Sequence, residues 1–216
     1  MSVVGIDRVY LGVQDADGNI LTDENTGFTT GMIEVTDEML GTSSVNFQTS
    51  KNGEELDGNN KQLDFIKAMP TASMDISFNN LPFDVINKVL GREKAGVGYV
   101  DSMANTYSIV IARSPLPDMK HYVYTCMGKA VATSKGKNMA TNTSKKTNRV
   151  NDELSFEGLS CSRTNDMPYI TACDEDDGFT QKALFDQLCP GQTLITAPVK
   201  ASVPASTGSS STSQGK

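Results

Sequence analysis

The sequence predicts a mainly β fold, of the β-sandwich or β-barrel type, with one or two short flanking α-helices. Three observations predict it. Segments with strand character recur at roughly 8–12-residue spacing, with turn residues between them. The run 71–79 alternates apolar and polar residues throughout, as a half-buried strand does. Only the segments 80–91 and 181–189 carry helix signals, which disfavours a βαβ fold.

The N-terminal segment predicts a hairpin. Apolar residues alternate over 9–13, and strand character resumes at 20–22 after the turn dipeptide Asp17-Gly18. The same DADGN stretch resembles the start of a calcium loop, but its glycine is at the fourth position and its twelfth residue is Thr26 instead of glutamate. Two more short strands are expected at 31–35 and 45–48, on either side of one helical turn that Thr36 could cap.

The next segments combine a loop, a strand and a helix. The stretch 49–61 is polar and rich in glycine and asparagine, which predicts a long exposed loop. The alternating strand 71–79 leads into a helix that Asn80 could cap and that Gly91 ends. Four apolar residues are expected on one face of this helix: Phe83, Ile86, Val89 and Leu90.

The second half of the chain predicts four more strands and a last helix. The segment 107–113 and the segment 121–127 are expected to pair as a hairpin around the SPLPD turn. Further strands are expected at 154–159 and 169–172. A short amphipathic helix then covers 181–189 and stops at Pro190-Gly191.

The length of 216 residues fits one domain, expected over residues 1–196, followed by a tail. The tail, 197–216, consists almost wholly of small and polar residues and is expected to be disordered. The longest aliphatic run, 109–112, is far too short to span a bilayer, and the N-terminus has no pattern of a secretory leader.

Charge disfavours a general nucleic-acid binder. The chain has 19 Lys and Arg against 26 Asp and Glu, a formal net charge of -7. The segment 129–149 is an exception, because it has six basic residues and no acidic one. It is either a solvated loop or a basic loop that docks on an acidic surface, such as that of an identical subunit.

No combination of residues predicts catalysis or a bound metal or cofactor. The four cysteines form no C-x-x-C pair and are expected to be reduced and mostly buried. His121 is the only histidine and is expected to be structural. The glycines of 91–98 lack the lysine and hydroxyl residue of a phosphate loop. The acidic run 174–177 is expected to be a solvated turn before the last helix, with metal binding as the less favoured alternative.

Four segments together resemble a known family. They are the opening VGIDRVYLGV, the alternating strand 72–78 running into the helix that ends at Gly91, the pair YSIVIARS and HYVYTCMGKA with the basic loop after them, and DELSFEGLSC. In their order and spacing, over about residues 3–190, they look like a major tail protein of a long, non-contractile-tailed bacteriophage. The resemblance therefore implies a structural virion protein and no enzyme.

The resemblance also implies an assembly. Six subunits form a ring whose inner sheets join into one large β-barrel, and rings stack into the tail tube, the conduit for genome delivery. Implied partners are other copies of the chain, the tape-measure protein in the lumen, and the tail initiator or baseplate and terminator proteins. DNA passes without specific binding, and no membrane is involved. The implied location is the virion tail, with synthesis and assembly in the host cytoplasm.

Two charged segments are the candidate contacts between subunits and rings. One set lies in the predicted loop 49–61: Glu54, Glu55, Asp57 and Lys61. The other set lies in the basic segment: Lys135, Lys137, Lys145 and Lys146. Two rival functions remain open. A capsid decoration protein or adhesin module would share the composition, and an enzyme would need His121 or the acidic run as its site.

Overall fold

Twelve strands and two short helices make up the part of the chain that the structure, a computed structural model, describes. That part comprises residues 2–23, 28–50, 53–58, 61–137, 139, 141 and 150–196, with 54–58 and 61–65 described by their backbone alone. The strands are β1 (Arg8–Gln14), β2 (Met32–Glu34), β3 (Thr42–Ser50), β4 (Gly53–Gly58), β5 (Lys61–Lys67), β6 (Thr71–Phe78), β7 (Arg92–Ala95), β8 (Gly98–Asp101), β9 (Tyr107–Pro115), β10 (Tyr122–Ser134), β11 (Asp152–Gly158) and β12 (Ile170–Cys173). The helices are α1 (Phe83–Val89) and α2 (Gln181–Leu188).

Eight of the strands form one antiparallel sheet. Its order is β2-β1-β9-β10-β11-β6-β3, and β12 pairs with the first part of β10. The strands β4 and β5 form a separate hairpin, as do β7 and β8. The mainly β prediction with two short helices is therefore confirmed. Along this path the outermost strands β2 and β3 are not paired with each other, so the described residues do not close a barrel.

The sheet must curl strongly. Seven strands in a flat sheet would place the outermost two roughly 29 Å apart. Only residues 35–41 join β2 to β3, and three of them, Asp37–Met39, form a 3-10 turn. Such a connection reaches roughly 23 Å. The outermost strands β2 and β3 therefore approach each other. The sheet curves so that one of its faces lies on the inside of the curve.

The inward face carries the larger core. The strand β6 alternates buried and half-buried residues along its whole length, as its sequence predicts. Its buried side chains cluster with those of β1, β9 and β11, such as Leu11, Val110 and Phe156. The helix α1 adds to this core Val85, Ile86 and Val89.

A second core lies on the opposite face of β1, β9 and the first part of β10. There α2 packs Leu184, Phe185 and Leu188 against the sheet. The ring of Phe185 meets that of Tyr10 edge-on, with centroids 4.8 Å apart. Thr180 caps α2, because its hydroxyl accepts a hydrogen bond from the Ala183 amide at 3.1 Å. The outward face of this half of the sheet is therefore covered.

A bulge divides β10 into two parts. The register with β9 shifts between Met127 and Ala130. Before the bulge β10 lies between β9 and β12, and after it between β9 and β11. At Gly128 a Cβ would lie 3.3–3.4 Å from side-chain atoms of Thr164, Cys161 and Leu188, so the backbone and this second core are tightly packed there. The bulge thus separates the half of the sheet under α2 from the half that continues into β11, β6 and β3.

Three predictions about local structure were wrong or incomplete. The stretch 49–61 is not one long loop, because β3 runs to Ser50 and the β4–β5 hairpin follows. The first hairpin is reduced to a turn and one bridge between Gln14 and Ile20, and β1 instead pairs with β2 and β9. Phe83 does not join the buried face of α1; it is 67% exposed and packs edge-on against Tyr99.

Two helix caps differ from the prediction, because Thr36 precedes the 3-10 turn Asp37–Met39 without a side-chain cap hydrogen bond, and Asn80 does not cap α1. Pro82, and not Asn80, occupies the N-cap of α1, with no side-chain cap. The Asp152 carboxylate accepts a hydrogen bond from the Leu81 amide at 3.3 Å, just before this helix. Gly91 ends α1 at a φ of 69°, as predicted. The predicted disordered tail, 197–216, lies outside the described residues.

Candidate functional site

The outward side of β10, β11, β6 and β3 is a continuous polar surface, called the polar face below. The registers place Thr133, Ser155, Asp75 and Asn46 in one row across the four strands. Val131, Glu157, Ser73 and Gln48 form the next row, and Glu153, Ser77 and Ser44 line up on the other side of the first. These eleven residues, which define the polar face, are all exposed or half-buried. Only Val131 among them is apolar.

An ion pair lies at the centre of the polar face. The Asp75 carboxylate accepts a hydrogen bond from the Ser155 hydroxyl at 2.6 Å and pairs with the Lys135 ammonium. The hydrogen bond from Lys135, followed by that from Ser155, lowers the pKa of Asp75 below its ordinary value. Asp75 therefore stays ionised at neutral pH, with one of the basic candidates as its partner.

The basic candidates have different positions. Lys135 pairs with Asp75, and Lys137 pairs with Asp152, which is buried in the protein. Both lysines therefore bind carboxylates of their own chain. Lys145 and Lys146 lie outside the described residues. Their contact with another subunit stays a prediction.

The other candidate set lies in the β4–β5 hairpin. Glu54 and Glu55 stand opposite Ile66 and Phe65 in the strand register. Asp57 stands opposite Gln62, and Lys61 opposite Gly58. Within the described residues this hairpin pairs with no other strand. The candidates predicted on a loop are therefore on a hairpin that stands apart from the main sheet.

His121 holds the β9–β10 turn to the segment after β12. Its Nδ1 lies 3.3 Å from an oxygen of Asp174, and its Nε2 lies 3.8 Å from Asp118. Asp118 also accepts hydrogen bonds from the amides of Lys120 and His121. These two bonds lower the pKa of Asp118, and the bond from Lys120 has the larger effect. Asp174 accepts one from the amide of Tyr122 at 2.8 Å. The carboxylates beside His121 thus bind backbone groups, as in a structural turn.

The acidic run does bring one more group to this corner. Ligand atoms of Asp118, His121 and Glu175 lie within 4.8 Å of one another, close enough to hold a metal ion. Two of the three residues are exposed and the third is half-buried. Exposed acidic groups often cluster in this way without a metal, and the hydrogen bond from the His121 amide to Asp118 within the β9–β10 turn accounts for two of these three positions.

The other sequence motifs form turns. In the DADGN segment Asp15 accepts hydrogen bonds from the amide and the side chain of Asn19, at 2.8 and 2.9 Å, and Gly18 has a φ of 86°. These hydrogen bonds hold a tight turn closed on itself. Of the glycines in 91–98, Gly91 ends α1, and Gly96 and Gly98 belong to the β7–β8 hairpin, with Gly96 at its turn. None of them lies in a strand-to-helix loop that could bind phosphate.

One basic residue that the sequence analysis did not select has a structural role. The Arg163 guanidinium donates hydrogen bonds to the Gln14 side chain at 2.8 Å, to the Leu188 carbonyl at 2.9 Å and to the Gly18 carbonyl. It therefore ties the end of β1 to the end of α2. All four cysteines are free and buried, as predicted. Neither described helix has the length and apolar character needed to cross a bilayer.

The arrangement of the described residues is that of a structural protein. Its described polar groups form turns, ion pairs and hydrogen bonds between elements, and the polar face. Its sheet ends at one side in the edge strand β3. The family model for phage tail tube proteins matches residues 1–197, and the chain belongs to that family. A search of curated proteins found no match. The chain is a structural component of the phage tail tube, not an enzyme, and its family assembles into the tube of the virion tail.

Proposed function

We propose that this chain polymerises as stacked hexameric rings into the tail tube, the conduit through which the phage genome enters the host. The observation that carries the proposal is the open edge of β3. This strand pairs with β6 on one side, and on the other side its residues 42–49 pair with no described strand. A long open edge is a template for pairing with another chain.

Pairing at this edge explains how a ring could close. Each subunit would add its half-sheet of β10, β11, β6 and β3 to that of its neighbour, so that the inner sheets join into one large barrel. Such a contact is heterologous, because β3 meets a different part of the next copy. Heterologous contacts form a closed ring when the rotation between subunits completes a circle. The number six comes from the resemblance to the family.

Stacking of the rings would use the two charged segments. Glu54, Glu55, Asp57 and Lys61 would reach the adjacent ring from the β4–β5 hairpin, which stands outside the main sheet. Lys145 and Lys146 would pair with an acidic face of a neighbour, as would Lys135 and Lys137. Because Lys135 and Lys137 have partners in their own chain, their use between subunits would require an exchange of ion pairs.

The assembled tube would contain and contact several partners. The tape-measure protein would occupy the lumen before ejection, and DNA would pass through it afterwards without specific binding. The tail initiator or baseplate would start the polymer, and the terminator protein would stop it. The chain would be made and assembled in the host cytoplasm and end in the virion.

Electron microscopy tests the proposal directly. Negative-stain images of the purified chain at high concentration, with mass photometry of the same sample, should show rings or tubes with a central channel. A phage that lacks this chain should produce heads without complete tails, and supplying the chain should restore them. Stable dimers or trimers without a channel, together with normal tails in its absence, would instead favour a decoration protein or an adhesin.

A further inference from the structure

The β9–β10 turn and the segment after β12 bring three carboxylates to His121, the one histidine of the chain. Asp118 approaches it from the turn, and Asp174 and Glu175 approach it from the segment after β12. Hydrogen bonds at the start of β10 join the two segments. The Tyr122 amide donates to the Asp174 carboxylate at 2.8 Å, and the Asp174 amide donates to the Tyr122 carbonyl at 3.1 Å. The fold therefore holds this corner together.

The hydrogen bonds of the turn leave the possible ligand atoms unused. Both amide bonds to Asp118, from Lys120 and His121, go to its Oδ1 atom. Its Oδ2 atom instead lies 3.8 Å from Nε2 of His121. Within the described residues the Glu175 side chain makes no hydrogen bond, so the turn does not account for its position. One atom from each of Asp118, His121 and Glu175 therefore faces the other two within 4.8 Å.

The fourth group of the corner, Asp174, orients the imidazole. Its Oδ1 atom lies 3.3 Å from Nδ1 of His121. When the Nδ1–H group donates to this oxygen, the lone pair of the neutral ring is on Nε2, the nitrogen 3.8 Å from Asp118. Histidines that bind metals commonly donate their second N–H group to a carboxylate in this way, which fixes the ring and makes it a stronger ligand. Asp174 is therefore a positioning residue for Nε2.

Charge favours a cation at this corner. In the part of the chain that the structure describes, Asp118 and Asp174 form ion pairs with His121 alone, and Glu175 forms none. Three carboxylates therefore share one imidazole, and the corner keeps a net negative charge in either protonation state of the ring. An imidazole nitrogen and carboxylate oxygens are ligands that Zn²⁺ accepts in proteins.

We propose that Asp118, His121 and Glu175 bind a divalent transition-metal cation of the Zn²⁺ type, each through one ligand atom. Ligands of a tetrahedral zinc ion lie roughly 3.3 Å apart, given bonds of about 2.0–2.1 Å. The three atoms would have to approach one another by up to about 1.5 Å, which rotation of the exposed Asp118 and Glu175 side chains allows. Water would supply the remaining ligand.

The bound ion would fasten the β9–β10 turn to the segment between β12 and α2. All three ligands belong to one chain, so the inference does not depend on a ring of subunits. It goes beyond the proposed function, which needs no metal. Mg²⁺ and Ca²⁺ prefer sites made of oxygen atoms, so both should bind here more weakly than Zn²⁺ does.

Calorimetric titration of the full chain with Zn²⁺, without an affinity tag, tests the site. We expect one ion per wild-type chain. Glu175→Gln should weaken binding at least about tenfold, because it removes one of the three ligands. Asp176→Asn is the matched control, since it removes the same charge at the next exposed position, and it should bind Zn²⁺ as the wild type does. Zn²⁺ should raise the thermal unfolding midpoint of the wild type and the control.

Cu²⁺ identifies the nitrogen ligand, because it binds such sites more tightly than Zn²⁺ and carries an unpaired electron. Pulsed electron paramagnetic resonance of the chain with Cu²⁺ should show modulation from the remote nitrogen of one imidazole. That signal has a single source, since the chain has one histidine. His121→Asn should abolish it. Asp174→Asn keeps an oxygen for the Tyr122 amide, so it should keep the signal while weakening Zn²⁺ binding about tenfold.

Four results would overturn the inference. The wild-type chain could fail to bind Zn²⁺ in the titration. Glu175→Gln could bind Zn²⁺ as tightly as the wild type, which would remove Glu175 from the site. Glu175→Gln and Asp176→Asn could weaken binding equally, which would show a general attraction to negative charge. The Cu²⁺ spectrum could lack the imidazole signal, which would place the ion elsewhere. None of these results bears on tube formation, which electron microscopy tests separately.

Discussion

At the scale of single residues, Gly91 and Gly96 share a backbone conformation but differ in their surroundings. Their φ angles are 69° and 63°, in the left-handed region that side chains with a Cβ rarely adopt. A Cβ on Gly91 would lie 2.9 Å from the Cβ of Thr106, whereas a Cβ on Gly96 would have nothing within 4 Å. The two positions therefore separate backbone strain from steric overlap.

We expect Gly96→Ala to lower the free energy of unfolding by about 1 kcal/mol, from backbone strain alone. Gly91→Ala should cost roughly 1–3 kcal/mol more, because the Thr106 Cβ is attached to the backbone and cannot rotate away. Urea unfolding of both variants measures the difference. Equal losses in the two variants would show that the space beside Gly91 relaxes without cost.

The ion pair between Lys135 and Asp75 predicts a pH dependence. The pKa of Asp75 is lower in the folded protein than in the unfolded chain, so the pair stabilises the fold above the unfolded value of about 3.9. The stabilisation is lost as the pH falls through the depressed folded pKa. Because both side chains are partly exposed, Lys135→Met should cost only about 0.5 kcal/mol at neutral pH.

A double-mutant cycle with Asp75→Asn isolates the contribution of this pair. The coupling free energy should be measurable by urea unfolding at neutral pH and should vanish in acid, where Asp75 is protonated. Coupling that persists unchanged in acid would show that the charge on Asp75 is not its source. Coupling of zero at neutral pH would show that Lys135 is free in solution.

At the scale of elements, strands with a buried face could be predicted and polar hairpins could not. The strand β6 alternates because one side packs into the core, and its sequence records that burial directly. The β4–β5 and β7–β8 hairpins consist mainly of polar and glycine residues, which have low strand propensity. Apolar and polar residues do not alternate along the full length of any of these four strands. Their strand structure comes from backbone pairing between two segments, which a single run of residues does not encode.

The candidate site was predictable only in part for the same reason. The sequence assigns Ser73, Asp75 and Ser77 to the polar side of one strand. Their neighbours on β3, β11 and β10 depend on strand order and register, and the order does not follow the chain. Likewise, Lys135 and Lys137 could be recognised as basic, but their partners Asp75 and Asp152 lie far away in sequence.

The β4–β5 hairpin carries a prediction about assembly. The double variant Glu54→Lys/Glu55→Lys should leave the thermal unfolding midpoint of the free subunit unchanged, because the hairpin pairs with no other described strand. If these residues contact the next ring, tube formation should require about tenfold more protein, equivalent to about 1.4 kcal/mol. Sedimentation of tubes over a concentration series gives this number.

The control for that measurement changes the same charge elsewhere. Asp176→Lys/Asp177→Lys also reverses two adjacent acidic residues at exposed positions, but in the turn before α2. If both double variants shift the threshold equally, the effect comes from net charge alone. If the hairpin variant assembles like the wild type, the hairpin does not contact the adjacent ring through these residues.

At the scale of the whole molecule, the chain combines a stable interior with an incomplete sheet. Two cores, one inside the curled sheet and one under α2, bury both sides of β1 and β9. The opposite end of the sheet stops at β3, with an open edge and an uncovered polar face. Such a subunit can fold alone and still gain backbone hydrogen bonds when a second copy adds a strand.

Hydrogen exchange can detect that added strand. In an antiparallel pair only about half of the amides of an edge strand bond to their neighbour, and the others point to solvent. We expect roughly half of the amides in β3 to exchange fast in the free subunit and slowly in tubes. The amides of β9, which lies between β1 and β10, are the control and should be protected in both states. Tubes in which β3 exchanges as fast as in the free subunit would exclude sheet extension at this edge, and the rings would then have to close through side chains alone.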